Sequence, residues 1–292
     1  TGVLWLTKRL NRVLDRITGD GDVILLTSNL LYPDLVTRLS KYSKRALYVL
    51  HAHQDILSFS KRLPYKIFVR LLYRNRQIVC VGKSIADEMT NVYGMDKKMI
   101  RVVQNPVDGR TIDRMRYEKN DFPYPYILFC GRLTAVKCPE RVIRAFYKGG
   151  FYKNYSLVIL GIGELEDKLK QMAEKYNVAE KVCFRGWEKN VYKWMDKADL
   201  LILTSDSEGL SMVLLEALYC ECPVVAVRSR GPEQIMTGEL ERYLCGPSDD
   251  SVIGTMKAAL SHYPDHLVRY TENFSVDKNV KTYLEIYREW EE

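Results

Sequence analysis

Glu208 and Glu216 are the residues in this chain whose setting most suggests chemistry. In SDSEGLSMVLLEALYCECPVVA (205–226), which follows the apolar run DLLILT (199–204), Glu208 falls in the connection leaving an expected strand. Glu216 falls inside the apolar run MVLLEAL of an expected helix. A bare carboxylate in an apolar helix is costly unless something hydrogen-bonds to it, and a ribose diol is a fitting partner. Gly209, Leu210 and Ser211 would open that helix with free backbone N–H groups, an anion site suited to a diphosphate. The bland alternative makes Glu208 an acid favoured by the helix dipole and Glu216 the partner of a distant lysine.

Three further stretches carry polar residues just beyond an apolar run. YILFCGRLTAVKCPERVIRAF (126–146) places Gly131, Arg132 and Lys137 after one such run; KVCFRGWEKNVYKWM (181–195) places Arg185, Gly186, Trp187 and Lys189 after another; ALYVLHAHQD (46–55) ends in His51 and His53. RGPEQIM (230–236) adds a turn with Gly231 and Glu233. Taken singly, these are surface cations, a capped loop and an ordinary histidine pair. An HxH spacing without further ligands gives little support to a metal.

Together these motifs resemble the family 4 glycosyltransferases, retaining enzymes of the two-Rossmann-domain GT-B type, here of the bacterial surface-polysaccharide and lipopolysaccharide kind. The resemblance implies that Glu208 faces the donor sugar and Glu216 holds the ribose hydroxyls, with Gly209, Leu210 and Ser211 at the diphosphate. It implies that Arg132 and Lys137, beside Gly131, bind the same diphosphate, whose charge grows as the glycosidic bond breaks. The 185–189 turn would read the nucleotide base, Gly231 and Glu233 match a family turn, and His53, better aligned than His51, would project toward sugar and acceptor. By the same resemblance the donor is a nucleoside-diphosphate sugar, with UDP favoured by analogy of the GP-containing turn. The acceptor is a glycan or lipid-linked hydroxyl, and no metal is expected.

Two stretches imitate other chemistries. LGIGELE, with Gly161 and Gly163, looks like a dinucleotide fingerprint, but Glu166 stands where the third glycine belongs. Asp20, Gly21 and Asp22 form a DxD that precedes a strand rather than following one, so a turn explains it better.

Positioning these residues requires strands whose carboxyl ends gather the loops. Short β-branched runs at 22–27, 46–52, 77–82, 126–131, 156–161, 181–186, 199–204 and 223–228 alternate with amphipathic segments such as ERVIRAFYKG, LEDKLKQMAEKY and SMVLLEALYC. That rhythm predicts an α/β protein with two doubly wound parallel sheets, ligands lying at the strands' carboxyl ends. YEKNDFPYPY (117–126) reads as a linker, giving an acceptor-side domain over 1–120 and a nucleotide-sugar domain over 121–275. A helix over 276–292 would pack back on the first. Relative to the family the first domain is expected to be incomplete, because LWLTKRLNRVLDRI leads almost directly into a strand.

Charge is divided unevenly along the chain. Residues 1–120 hold 22 Lys and Arg against 11 Asp and Glu, while the remainder holds 22 against 26. FSKRLPYKIFVRLLYRNRQ (59–77) interleaves Lys61, Arg62, Lys66, Arg70, Arg74 and Arg76 with Phe68, Leu71, Leu72 and Tyr73, a pattern suited to anionic lipid or to a buried helix with a basic face. No nucleic-acid recognition motif accompanies it. The seven cysteines form no CxxC pair and lie mostly in apolar runs, as reduced core residues do. No apolar run approaches a membrane span and no secretory signal opens the sequence. A cytoplasmic location follows, with peripheral membrane contact through the first domain. The competing readings are a nucleotide-sugar epimerase on the same architecture and a non-catalytic module binding nucleotide sugar or polyanion.

Overall fold

The computed structural model describes residues 2–18, 25–28, 31–51, 63–123 and 125–291, and divides into two compact units, 1–104 and 105–292. The first unit comprises α1 (Gly2–Thr18), β1 (Leu25–Ser28), α2 (Leu31–Leu39), β2 (Ala46–Leu50), α3 (Leu63–Tyr73), β3 (Gln77–Cys80), α4 (Lys83–Asn91) and β4 (Ile100–Val102). Its four strands are all parallel in the order β1-β2-β3-β4. A sequential parallel order with right-handed crossovers sends α2, α3 and α4 to one face of the sheet. Tyr48 of β2 confirms that placement, meeting Tyr73 of α3 edge-on at 5.6 Å.

The second unit holds α5 (Gly109–Arg116), β5 (Tyr126–Cys130), α6 (Pro139–Lys148), β6 (Ser156–Leu160), α7 (Glu166–Lys175), β7 (Val182–Gly186), α8 (Tyr192–Met195) and β8 (Leu200–Leu203). It continues through α9 (Met212–Tyr219), β9 (Val224–Val227), α10 (Arg230–Ile235), β10 (Leu244–Cys245), α11 (Asp249–Ser261) and α12 (Val276–Glu291). Its parallel sheet runs β10-β9-β8-β5-β6-β7. The strand order reverses between β5 and β8, the crevice where a doubly wound sheet takes its ligand. Strands β5, β8 and β9 are buried along their whole length, which explains runs such as YILFC and VVAV without polar alternation.

The expected α/β architecture with two parallel sheets is the observed one; among the described residues only the second sheet reverses its strand order as a doubly wound sheet does, and β4 and β10 were not expected. The boundary at 120 is corrected to a division after Gln104. Helix α5 belongs to the second core: Ile112 is buried there, Asp113 accepts from the Tyr219 hydroxyl at 3.0 Å, and Val107 N–H donates to the Phe274 carbonyl at 2.6 Å. Nor does 117–126 behave as a linker where it is described. Asn120 Nδ2 donates to the Lys193 carbonyl at 3.2 Å, and the Phe122 ring packs on Tyr126 and Trp194 at 5.3 and 5.6 Å.

Candidate functional site

The loops leaving β5 and β8 meet at the reversal point, and specific bonds fix their approach. Arg141 Nη1 donates to the Thr204 carbonyl at 2.9 Å and to Asp206 at 2.5 Å, while Thr204 Oγ1 donates to the carbonyls of Lys137 and Cys138 at 2.9 and 3.0 Å. Asp206 N–H closes the seam on the Val136 carbonyl at 3.0 Å. Cys138 is thus no core thiol. It sits half-buried in the left-handed region at φ 46°, with Sγ donating to Asp206 Oδ2 at 3.1 Å.

This seam brings Lys137 to Glu208. Lys137 Nζ lies 2.6 Å from Glu208 Oε1, which also accepts from Ser205 Oγ at 2.7 Å. The pair is largely shielded, with side-chain exposures of 23% for Lys137 and 10% for Glu208, so its charges are screened less than a surface pair's would be. Ser211 stands at the N-cap of α9 without a side-chain cap bond. It therefore leaves the first-turn N–H groups of α9 unsatisfied by its side chain, as an anion site requires.

One turn into α9, Glu216 is half-buried and accepts from the Tyr192 hydroxyl at 3.4 Å. Burial raises its carboxyl to about 7, with the Tyr192 bond pulling the other way. The Tyr192 phenol is pushed up to about 12 by burial and by Glu216. At the end of β5 the Cys130 thiol is likewise pushed up to about 12, by burial first and then by the nearby Glu216 charge. A carboxylate at this position wants hydroxyl donors.

Glycines let the loops close. A Cβ on Gly161, whose φ is +144°, would lie 1.9 Å from the Gly131 carbonyl oxygen, and one on Gly163 would lie 2.3 Å from the Leu133 carbonyl oxygen. LGIG is therefore a seam between the β5 and β6 loops, and Gly161 N–H donates to the Gly186 carbonyl at 2.7 Å. Gly231 presses α10 against the Glu208 loop, its hypothetical Cβ 2.9 Å from Glu208 Cβ and 3.1 Å from the Glu208 and Gly209 carbonyl oxygens.

Other expected site residues are placed differently. Arg132 is exposed beside Gly131. The Arg185 guanidinium lies over Phe122 and Trp194, 5.3 and 5.2 Å from the ring centroids, which gives it a packing role in this structure. Gly186 takes φ +68° at the end of β7, Trp187 is 70% exposed and Lys189 is exposed. Glu233 pairs with Arg228 at 3.2 Å. His51 follows β2 and is exposed, whereas His53 and the DxD at 20–22 lie outside the described residues. Ser205, Tyr192, Asp206 and Arg141 were not expected. Ser205 and Asp206 precede Glu208 in SDSEG, but nothing local marks Tyr192 as the partner of Glu216 or Arg141 as the partner of Asp206. Among the described residues no cluster of three metal-ligating side chains occurs, and no helix is long and apolar enough to cross a membrane.

A parallel sheet with 3-2-1-4-5-6 order defines a unit of the Rossmann class, and the Lys137–Glu208 pair lies in the loops at its reversal point. Comparison with known proteins narrows the class. Residues 113–274 match the family Glycosyl transferases group 1 and residues 2–110 match Glycosyltransferase Family 4; the chain belongs to this glycosyltransferase family. It is similar to the N-acetylgalactosamine-N,N'-diacetylbacillosaminyl-diphospho-undecaprenol 4-alpha-N-acetylgalactosaminyltransferase of Campylobacter jejuni. That match is 29% identical over 180 residues, covering 61% of this chain and 49% of the relative. The lipopolysaccharide core biosynthesis glycosyltransferase LpsE of Rhizobium meliloti is 27% identical over 201 residues, covering 68% and 57%. The chain spans about half the length of the curated relatives it matches. In fold it is similar to a Rickettsia africae glycosyltransferase (TM-score 0.79, 15% identity, 99% of this chain and 81% of that one). It is equally similar to Anabaena Alr3699/HepE in complex with UDP (TM-score 0.79, 15% identity, 97% and 82%). The GT-B fold expected from the sequence is the fold of these neighbours.

Proposed function

We propose that this chain transfers a hexose or N-acetylhexosamine from a nucleoside-diphosphate sugar, UDP favoured, to a hydroxyl of a glycan or lipid-linked acceptor, with retention at the anomeric carbon. The observation that carries the reading is the Lys137–Glu208 pair at 2.6 Å over the reversal point of the second sheet, with Glu216 one turn into the same helix. Lys137, Arg132 and the N-terminus of α9 stabilise the departing diphosphate, the work a metal ion does in other transferases. The diphosphate oxygen accepts the acceptor proton on the face it leaves. Glu208 orients the sugar hydroxyls and Glu216 accepts from the ribose diol. UDP is favoured because it is the nucleotide bound in the Anabaena complex. Lipid-linked acceptors are favoured by the Campylobacter relative, whose name carries a diphospho-undecaprenol substrate.

A peripheral position on the cytoplasmic face of a membrane fits the first unit. Helix α3 buries Tyr65, Val69, Leu72 and Tyr73 but exposes Leu63, Ile67 and Leu71 in a stripe beside Lys66 and Arg70. An apolar stripe flanked by cations suits the interface of an anionic bilayer. The test of the transfer reading is nucleoside-diphosphate release and anomeric product analysis with a panel of UDP-sugars, EDTA present throughout. Release that depends on an added glycan or lipid-linked acceptor, and that is lost in Glu208→Ala, supports transfer. Conversion of the donor without acceptor indicates an epimerase, and saturable binding without release indicates a binding module.

A further inference from the structure

The first unit holds a second cluster of cationic groups, remote in sequence from the donor residues and set at the amino ends of its strands. Arg76 precedes β3, and Tyr48 of β2 pairs in register with Ile78, so alternation puts Arg76 and Tyr48 on the same face of the sheet. That face is covered by α2 and α3, which are joined by the Tyr73 hydroxyl donating to Asp34 Oδ2 at 2.7 Å. Arg38 follows Asp34 by one turn of α2.

What these groups lack is an acceptor. Arg76 donates from Nη1 to the Asn75 carbonyl at 2.8 Å and from Nη2 to Ser43 Oγ at 3.1 Å, both neutral. Its Nε, Arg38 Nη1 and the Tyr48 hydroxyl are buried with no hydrogen-bond partner, and Tyr48 is 0% exposed. Among the described residues neither guanidinium has a carboxylate within ion-pair distance. The two charges feel each other: burial and then Arg76 lower the Arg38 pKa, and both arginines act on the Tyr48 phenol.

Two permanent cations and a phenol face one carboxylate, Asp34, which accepts from Tyr73 and acts on the Tyr48 phenol, so the cluster keeps a net positive charge and unmet donors that a negative, acceptor-rich ligand would complete. Water would satisfy N–H groups without offsetting the charge. A tetrahedral oxyanion offers several acceptors at once, and the guanidinium fork matches its geometry. Both arginines are half-buried, so part of each side chain meets solvent while Arg38 Nη1 and Arg76 Nε are sealed.

We propose that Arg38, Arg76, Tyr48 and Ser43 form a phosphate-binding site in the first unit, at the strand ends opposite to those that take nucleotide in this architecture. Its ligand is a phosphate group, free or on a lipid headgroup. The site stands independently of the transfer reading.

The test is calorimetric titration of the full chain with inorganic phosphate at ionic strength fixed by chloride, with and without UDP. Arg38→Met, Arg76→Met and Tyr48→Phe are compared with wild type. Vesicles of phosphatidylglycerol or phosphatidylcholine form a second arm, read by co-sedimentation. The expected result is phosphate binding that persists with UDP present and weakens roughly tenfold or more in each arginine variant. Phosphate should also raise the melting temperature of wild type more than that of Arg38→Met, a difference that a merely structural arginine would not produce. Loss of phosphatidylglycerol binding in the same variants assigns the phosphate to lipid; unaltered vesicle binding with lost phosphate binding assigns a soluble ligand. Equal phosphate affinity and equal phosphate-induced stabilisation in wild type and both arginine variants would overturn the site. Failure of UDP to bind while phosphate binding remains Arg38-dependent would overturn only the transfer reading.

Discussion

Replacing Glu216 with Gln should make the second unit more stable at alkaline pH and its nucleotide binding weaker. The carboxyl sits at about 7 in the folded chain against an ordinary 4.5. A folded pKa above the unfolded one means that the native state favours the protonated form. The stabilisation is complete below the unfolded value and is lost as pH rises through about 7. The shift corresponds to roughly 3 kcal/mol at one pH unit per 1.36 kcal/mol, and half-burial with partial solvation reduces this to roughly 1–3 kcal/mol. Glutamine keeps the shape and carries no charge, so the variant should match wild type near pH 4 and exceed it by about that amount near pH 8.5. Urea melts across that range measure the difference. Binding should move the other way, because a ribose diol donates to a carboxylate better than to an amide. Affinity of wild type for UDP-glucose, whose diphosphate has no proton titrating near 7, should rise with pH through about 7 and that of Glu216→Gln should be flat. Identical pH dependence of stability in the two proteins would refute the reasoning, since the titrating group would then lie elsewhere.

Tyr192→Phe removes the donor that pulls Glu216 downward, so the pH midpoint of UDP-glucose affinity, followed by calorimetry, should shift upward from that of wild type. Lys137→Ala should lower kcat by roughly 10²–10³, the scale of losing one group that stabilises transition-state charge, and should also lower the urea midpoint, because the shielded Glu208 carboxylate loses its counter-charge. Gly231→Ala places a methyl 2.9 Å from Glu208 Cβ and against two carbonyl oxygens. It should cost roughly 1–3 kcal/mol in urea melts and weaken donor binding by displacing the Glu208 loop.

The placement of the second unit's polar residues was legible because its central strands are apolar throughout and those residues fall just beyond them. DLLILT and YILFC announce buried strands, so Glu208 and Lys137 could be assigned to strand ends and, by resemblance, to one site. Their direct contact could not be foreseen, because it depends on strand order: β5 and β8 are neighbours although three strands apart in sequence numbering. Two short strands escaped for a physical reason. IRV is only partly buried and LC is two residues long, so neither offers the pattern that a strand reading needs. Tertiary contacts decided the boundary as well. The prolines of 117–126 mark a break in regular structure, yet Asn120 and Phe122 fasten the segment to α8, and only packing reveals that. Arg185 illustrates the converse: its position near the end of β7 suggested a ligand contact, and in this structure two aromatic faces hold its guanidinium. In α3, periodicity alone left open which side faces outward. The fold sends Leu72 and Tyr73 inward and Leu63, Ile67 and Leu71 outward.

The central claim is that the crevice between β5 and β8 binds a nucleoside diphosphate through Lys137, Glu208 and Glu216. Calorimetric titration of UDP into wild type, Lys137→Ala, Glu216→Gln and the surface control Lys170→Ala tests it most directly. The account predicts saturable one-site binding in wild type and the control, weakened about tenfold or more in the other two. Equal affinity across all four proteins, or no binding of UDP, GDP or ADP to wild type, would contradict it.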